Sequence, residues 1–245
     1  MFPSGLTILG TDTEVGKTYV ACRIIESLVQ DGVKVGAYKP VASGAPTRSQ
    51  SDGFQLWQAS NQLGTLEEVN PQCFLAPLAP PVAAELEGKQ VSDDLILEGA
   101  KHWYGKCEML VAEGAGGLLS PISWNMTNAT FAKELGFPIV LVSENKLGVV
   151  NQVLTAVTAA RSLGLTISVI VLNERIESAD IASTTNLRLL KWFLEKDSEH
   201  PMVAVLRRNE RDFEPKIQWQ GVERLSLNRS ESSSRNVTHA HFTEH

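Results

Sequence analysis

Apolar residues along the first two hundred or so positions occur in two textures that alternate. One is a short continuous run of strand length, and the other is a longer stretch with apolar residues every three or four positions. Leu6-Thr7-Ile8-Leu9 is the first run, and residues 19–30 follow with Val20, Ile24, Ile25 and Leu28 at helical spacing, closed by Asp31-Gly32. Residues 33–38 read as a second strand feeding Lys39-Pro40-Val41-Ala42-Ser43-Gly44, expected as a loop because Pro and Gly cannot continue a ladder. Asp52 opens a short amphipathic helix with Phe54, Leu56, Trp57 and Ala59. The proline-rich stretch 71–81 is expected to be irregular, with a helix from Pro81 that stops by Gly88. Ser92-Asp93-Asp94 caps a helix running to about Tyr104. Residues 109–112 and 138–142 are continuous apolar runs, the mark of strands buried on both faces. Helices are expected at 127–135, 149–163 and 179–195, and strands at 166–172 and 202–206.

Strands alternating with helices predict an α/β fold of three layers, a mostly parallel sheet with helices on both faces and right-handed crossovers. Ligands then lie outside the strand C-termini, which selects the loops after Leu9, Tyr38, Ala112 and Leu172. One domain is expected over residues 1–225. From Ser226 the composition turns polar, with a Ser-rich stretch and His239, His241 and His245, so 226–245 reads as a flexible solvated tail.

Composition narrows this picture by exclusion. The chain has 245 residues, 43% hydrophobic and 20% charged, enough for a sizeable core. A net charge of −6 offers no basic surface for nucleic acid. No apolar run approaches the roughly 20 residues a membrane helix needs, and the chain enters its first strand with no room for a signal peptide. Cys22, Cys73 and Cys107 are odd in number and widely spaced, and they read as reduced thiols of a cytoplasmic protein.

Chemistry enters at Gly10-Thr11-Asp12-Thr13-Glu14-Val15-Gly16-Lys17-Thr18. A strand, a glycine-bounded loop and a helix start make a phosphate-binding loop, which specifies the fold class as P-loop NTPase-like. Backbone N–H groups face an anion, Lys17 reaches the outer phosphates, and the Thr18 hydroxyl suits Mg²⁺. Five residues separate Gly10 from Gly16, one more than in the usual pattern. Asp52 and Glu113 are the carboxylates best placed to join Thr18 around the metal. Asp52 reads equally well as a helix N-cap. Glu113, between a buried strand and a Gly-rich turn, has no evident structural purpose. Lys39 would bring a second cation to the crevice, its alternative being an ordinary surface lysine.

These blocks, with Ser51-Asp52, Glu113-Gly114-Ala115-Gly116-Gly117 and Lys146-Leu147-Gly148 in the same order, resemble the dethiobiotin synthetase family over residues 6 to 206. The resemblance implies an ATP-dependent ligase that takes 7,8-diaminononanoate, CO₂ and ATP, with Mg²⁺ as cofactor. A carbamate forms on one amine, is phosphorylated by ATP and closes to a ureido ring. It further implies that Lys17, Lys39 and Thr11 act in catalysis, and that Thr11 and Ser43 touch substrate or carbamate. Thr18, Asp52 and Glu113 would hold Mg²⁺. Glu14, Val15, Gly16, Lys17 and Thr18, with Glu113, Gly114, Ala115 and Gly116, would cradle ATP, and Asn173 would lie near the adenine. The family works as a homodimer, so Val149, Val150 and Asn151 at a helix N-terminus would receive the substrate carboxylate across the interface. Two departures stand out. Ala204-Val205-Leu206-Arg207-Arg208 replaces a Gly-Glu-Ile-Pro-like segment near the adenine, and Thr185 or Asn186 stands where some members have a tyrosine.

Two other classes compete. A partitioning ATPase of the ParA/MinD type, a switch that dimerises around ATP, would want a lysine early in the loop, where Thr11, Asp12 and Thr13 stand. An amidotransferase-type ligase such as a cobyrinic acid diamide synthase would need a glutaminase domain and a Cys–His pair.

Overall fold

The computed structural model describes residues 4–175, 181–196 and 200–222. The expected tail at 226–245 and the first residues of the helix expected at 179–195 lie outside the described residues. The elements in chain order are β1 (Ser4–Gly10), α1 (Lys17–Gln30), β2 (Val35–Tyr38), β3 (Val41–Ser43), α2 (Asp52–Ala59), α3 (Leu66–Val69), β4 (Gln72–Phe74), α4 (Pro80–Leu86) and α5 (Asp93–Lys101). Then come β5 (Met109–Gly117), α6 (Asn128–Leu135), β6 (Ile139–Glu144), α7 (Val149–Ser162), β7 (Ile167–Asn173), α8 (Ile181–Leu194), β8 (Met202–Leu206) and β9 (Phe213–Glu214).

Seven strands form the main sheet in the order β2-β5-β1-β6-β7-β8-β9, every pair parallel except β8–β9. The period-2 alternation along each strand feeds two separate cores. Val140 and Val142 of β6, Val169 and Val171 of β7, and Ala204 and Leu206 of β8 pack with Ile24, Ile25 and Leu28 of α1. Their neighbours Leu141, Ile170 and Val205 point the other way, against Val153 and Val157 of α7 and Leu190 of α8. That is why these strands read as continuous apolar runs: both faces are covered. Sheet growth reverses at β1, which has β5 on one side and β6 on the other, and the crevice above such a switch point is where ligands enter.

Helix boundaries follow local chemistry. Ser92 caps α5 by accepting from Leu95 N, Thr127 caps α6 by accepting from Thr130 N, and Gly136 ends α6 in the left-handed region at φ 67°. Three expectations need correction. Val41–Ser43, expected as loop, pairs in parallel with Gln72–Phe74, which lies inside the stretch expected to be irregular. β5 also runs on through Gly117, so Glu113 to Gly117 belong to a strand rather than a loop. Between Ile8↔Glu113 and Gly10↔Gly117 the register slips, since one chain needs more residues than the other, and Gly116 at φ 84° absorbs the bulge.

Candidate active site

The phosphate loop is shaped by backbone before any side chain is considered. Glu14 (φ 55°) and Gly16 (φ 85°) are both left-handed, a conformation that turns successive N–H groups toward one concavity. Gly16 is obligatory on two counts: its φ, and Asn173 Nδ2 standing 2.2 Å from where a Cβ would be. It precedes α1, whose start has no side-chain cap and no acidic residue in its first turn, so the N-terminal N–H groups and the helix dipole are open to an anion. The loop is held from β7 by Asn173, whose Nδ2 donates to Val15 O at 3.0 Å, and by Arg175, whose guanidinium donates to Glu14 O. Lys17 is nearly buried, and its Nζ donates to Asp12 O at 3.1 Å. Burial first, then repulsion from Lys39, bring its ammonium down to about 8.

Opposite the loop, Lys39 leaves the end of β2 and is 2% exposed, so it is no surface lysine. Its Nζ lies 2.5 Å from Glu113 Oε1, 3.2 Å from Asp52 Oδ2 and 3.0 Å from Gly114 O. Burial alone would lower this lysine, but the two carboxylates outweigh it and hold it above its ordinary range. Complete burial pushes the Glu113 carboxyl up, against the pull of Lys39, while Lys39 first and then Thr18 hold Asp52 below the usual carboxylate range. Thr18 Oγ1 donates to Glu113 Oε1 at 2.8 Å. The helix-cap alternative for Asp52 is met by its neighbour: Ser51 accepts from Phe54 N at 3.2 Å, leaving the Asp52 carboxylate free for the cleft. Three oxygen-bearing side chains thus converge, and Glu113 Oε2 is buried without a hydrogen-bond partner among the described residues. Such a hard-oxygen set with an orphaned carboxylate oxygen fits a magnesium ion.

A cleft of about 470 Å³ lies between loop and lysine. It collects most of the residues expected from sequence: Glu14, Gly16, Lys17, Thr18, Lys39, Ser43, Asp52, Glu113, Ala115 and Gly116. Ser43 Oγ donates to Leu78 O at 2.6 Å at its edge. Val15 is buried beneath the loop and contributes its backbone. Gly114 contributes its carbonyl to Lys39 and stands where a Cβ would lie 2.3 Å from Asn128 Oδ1. Asn173 lines not this cleft but an adjoining pocket of about 280 Å³, with Gly16, Tyr19, Glu174, Arg175, Arg208 and Asn209.

Thr11, expected on the substrate side, has its Oγ1 2.7 Å from Ser143 Oγ on β6, and Thr13 lines the cleft. Val149, Val150 and Asn151 are not in the cleft of the same chain. They begin α7, which follows Gly148 at φ 92° and likewise lacks a side-chain cap. Thr13, Ala42 and Arg175 line the cleft without having been singled out. Thr13 lay within the loop motif, while Arg175 carried no signal beyond its place two residues past Asn173.

The sheet order and the open phosphate loop define a nucleotide-binding protein of the P-loop class, three-layered and α/β. A family model described as an AAA domain matches residues 4–210. The chain belongs to the dethiobiotin synthetase family, ATP-dependent ligases of the cyclo-ligase type in biotin biosynthesis. It is 38% identical over 216 residues to the ATP-dependent dethiobiotin synthetase BioD of Rhodopirellula baltica, covering 82% of each chain. With that of Anaeromyxobacter sp. strain Fw109-5 it is 40% identical over 176 residues, 72% of this chain and 79% of the relative. Among solved structures, FtsY from Thermotoga maritima has a TM-score of 0.52 at 12% identity, covering 92% of this chain and 68% of that one. The signal recognition particle receptor FtsY from Elizabethkingia anophelis has 0.53 at 12%, covering 92% of this chain and 64%, just under two thirds, of that one. These two likenesses speak to the fold alone.

Proposed function

We propose that the cleft joins CO₂ to 7,8-diaminononanoate by phosphorylating a carbamate at the expense of MgATP. The amine adds to CO₂ to give the carbamate. A carbamate oxygen attacks the γ-phosphorus and releases ADP, and the second amine then attacks the carbonyl carbon, closing the ureido ring and releasing phosphate. The observation that carries this reading is Lys39. A buried cation facing the phosphate loop across the cleft suits a reaction in which negative charge builds between two anions, and no protein nucleophile is needed.

Lys17 and Lys39 would flank the transferring group from opposite sides, each worth most where water is excluded. Thr11 would touch substrate or carbamate, with Thr13 and Ser43 lining the cleft. The backbone of residues 14–18 and of Gly114, Ala115 and Gly116 would hold the polyphosphate, and the pocket beside Asn173 would take the base. Thr18, Asp52 and Glu113 would hold magnesium, which when bound supplies charge neutralisation at the outer phosphates. The uncapped N-terminus of α7 would take the substrate carboxylate of a second copy in a homodimer, which accounts for Val149, Val150 and Asn151 lying outside the cleft. Among the described residues no helix is long and apolar enough to cross a membrane.

The test is stoichiometric. With diamine, bicarbonate and MgATP, one ADP and one phosphate should appear per ureido product. ATP turnover that ignored the diamine would overturn the reading in favour of an ATP switch.

A further inference from the structure

Two cavities meet over the phosphate loop, and among the described residues only Gly16 and Arg175 line both of them. Gly16 has no side chain to offer. Arg175 does, and it is exposed, cationic and anchored: its guanidinium donates to the carbonyl of Glu14, the left-handed residue at the crown of the loop. A guanidinium carries five N–H donors in a planar fork, and one bond to a carbonyl leaves most of the fork for an anion. Its anchor fixes where that fork lies, at the boundary between the phosphate cradle and the pocket formed by Asn173, Tyr19 and Asn209. Glu174 and Arg208 are the other charged residues that line that second pocket among the described residues.

We propose that Arg175 is a nucleotide-binding residue, contacting the α-phosphate where the nucleotide passes from the cradle to the base pocket. The inference rests on the reading that ATP lies with its outer phosphates at Lys17 and Thr18. The portion of a nucleotide that spans the boundary is then the α-phosphate and ribose, and of these the phosphate is the ligand a planar cationic fork prefers. The residue's position, two past the end of β7, also gives this chain a cation next to the segment 204–208 that departs from the family pattern.

The experiment measures MgADP binding to the full chain by calorimetry and by phosphorus NMR, with no diamine or bicarbonate present. Arg175→Ala should weaken MgADP about 10- to 100-fold, and Arg175→Lys should recover part of the loss. In the bound state R175A should shift the α-phosphorus resonance and leave the β-phosphorus where it is. Unchanged affinity in R175A would overturn the proposal. So would a loss of affinity in which the β-resonance moves as much as the α, because Arg175 would then act only by shaping the loop through Glu14. A wild-type protein that binds MgADP but makes no ureido product would sink the ligase reading while leaving Arg175 in place.

Discussion

At the scale of single residues the site turns on how completely Lys39 is enclosed. Its ammonium sits between Glu113 and Asp52, so removing it takes away the cation proposed for catalysis and strands a buried carboxylate. Lys39→Ala should therefore lower kcat by about 10²- to 10³-fold and also lower stability by about 3–5 kcal/mol in urea titration. Adding Glu113→Gln should restore part of the stability and none of the activity. A K39A variant as stable as wild type would contradict the buried pair. The two threonines separate in the same way. Thr13→Val should raise KM for the diamine with little change in stability, whereas Thr11→Val, which also leaves Ser143 Oγ buried without its partner, should raise KM and cost about 1–3 kcal/mol; an unchanged KM would remove Thr11 from the substrate site. Sequence alone pointed to Lys39, Asp52 and Glu113 because Lys39 and Glu113 follow apolar runs of strand length and Asp52 opens an amphipathic helix. Thr13 was not legible because residues 11 to 15 lie in a loop, where no period says which side chain faces inward.

At the scale of elements, the strand–loop–helix unit depends on one glycine. Gly16→Ala places a Cβ at a left-handed φ and against the amide of Asn173, which itself holds Val15. It should abolish nucleotide binding by calorimetry while the far-UV spectrum stays that of the wild type; retained affinity would contradict the preformed loop. A second unit joins the turn before α7 to α8. Asn186 Nδ2 donates to Asn145 Oδ1 at 2.9 Å and to Lys146 O at 3.1 Å, all but excluded from solvent. Asn186→Leu should cost about 1–3 kcal/mol and raise KM for the diamine more than KM for ATP, since the turn it steadies leads into the α7 N-terminus. Equal changes in both would separate α7 from the substrate site. The long elements were legible from periodicity because α1, α5 and α7 bury one face each. β3 and β4 were not, because three-residue strands are specified by the partner they find, and a proline-rich stretch gives no local hint of one. The extension of β5 through three glycines was hidden for the opposite reason: those residues favour a turn locally, and it is the return to pairing at Gly10↔Gly117, past the bulge at Gly116, that carries the strand on.

At the scale of the whole molecule, the alternation of apolar runs and helical stretches sufficed for a mostly parallel sheet with helices on both faces, but not for its strand order or for β9. Nor could it supply what lies across the α7 N-terminus, since one chain carries no signal for where a second would sit. A homodimer by sedimentation, with activity falling as dilution dissociates it, is the expected behaviour; a fully active monomer would contradict the shared site. The central claim is that this cleft transfers the γ-phosphoryl group to a carbamate, which isotope transfer tests directly. With ¹⁸O-labelled bicarbonate, diamine and MgATP, the released inorganic phosphate should carry one ¹⁸O from the carbamate. Phosphate free of the label, formed alongside ureido product, would contradict it.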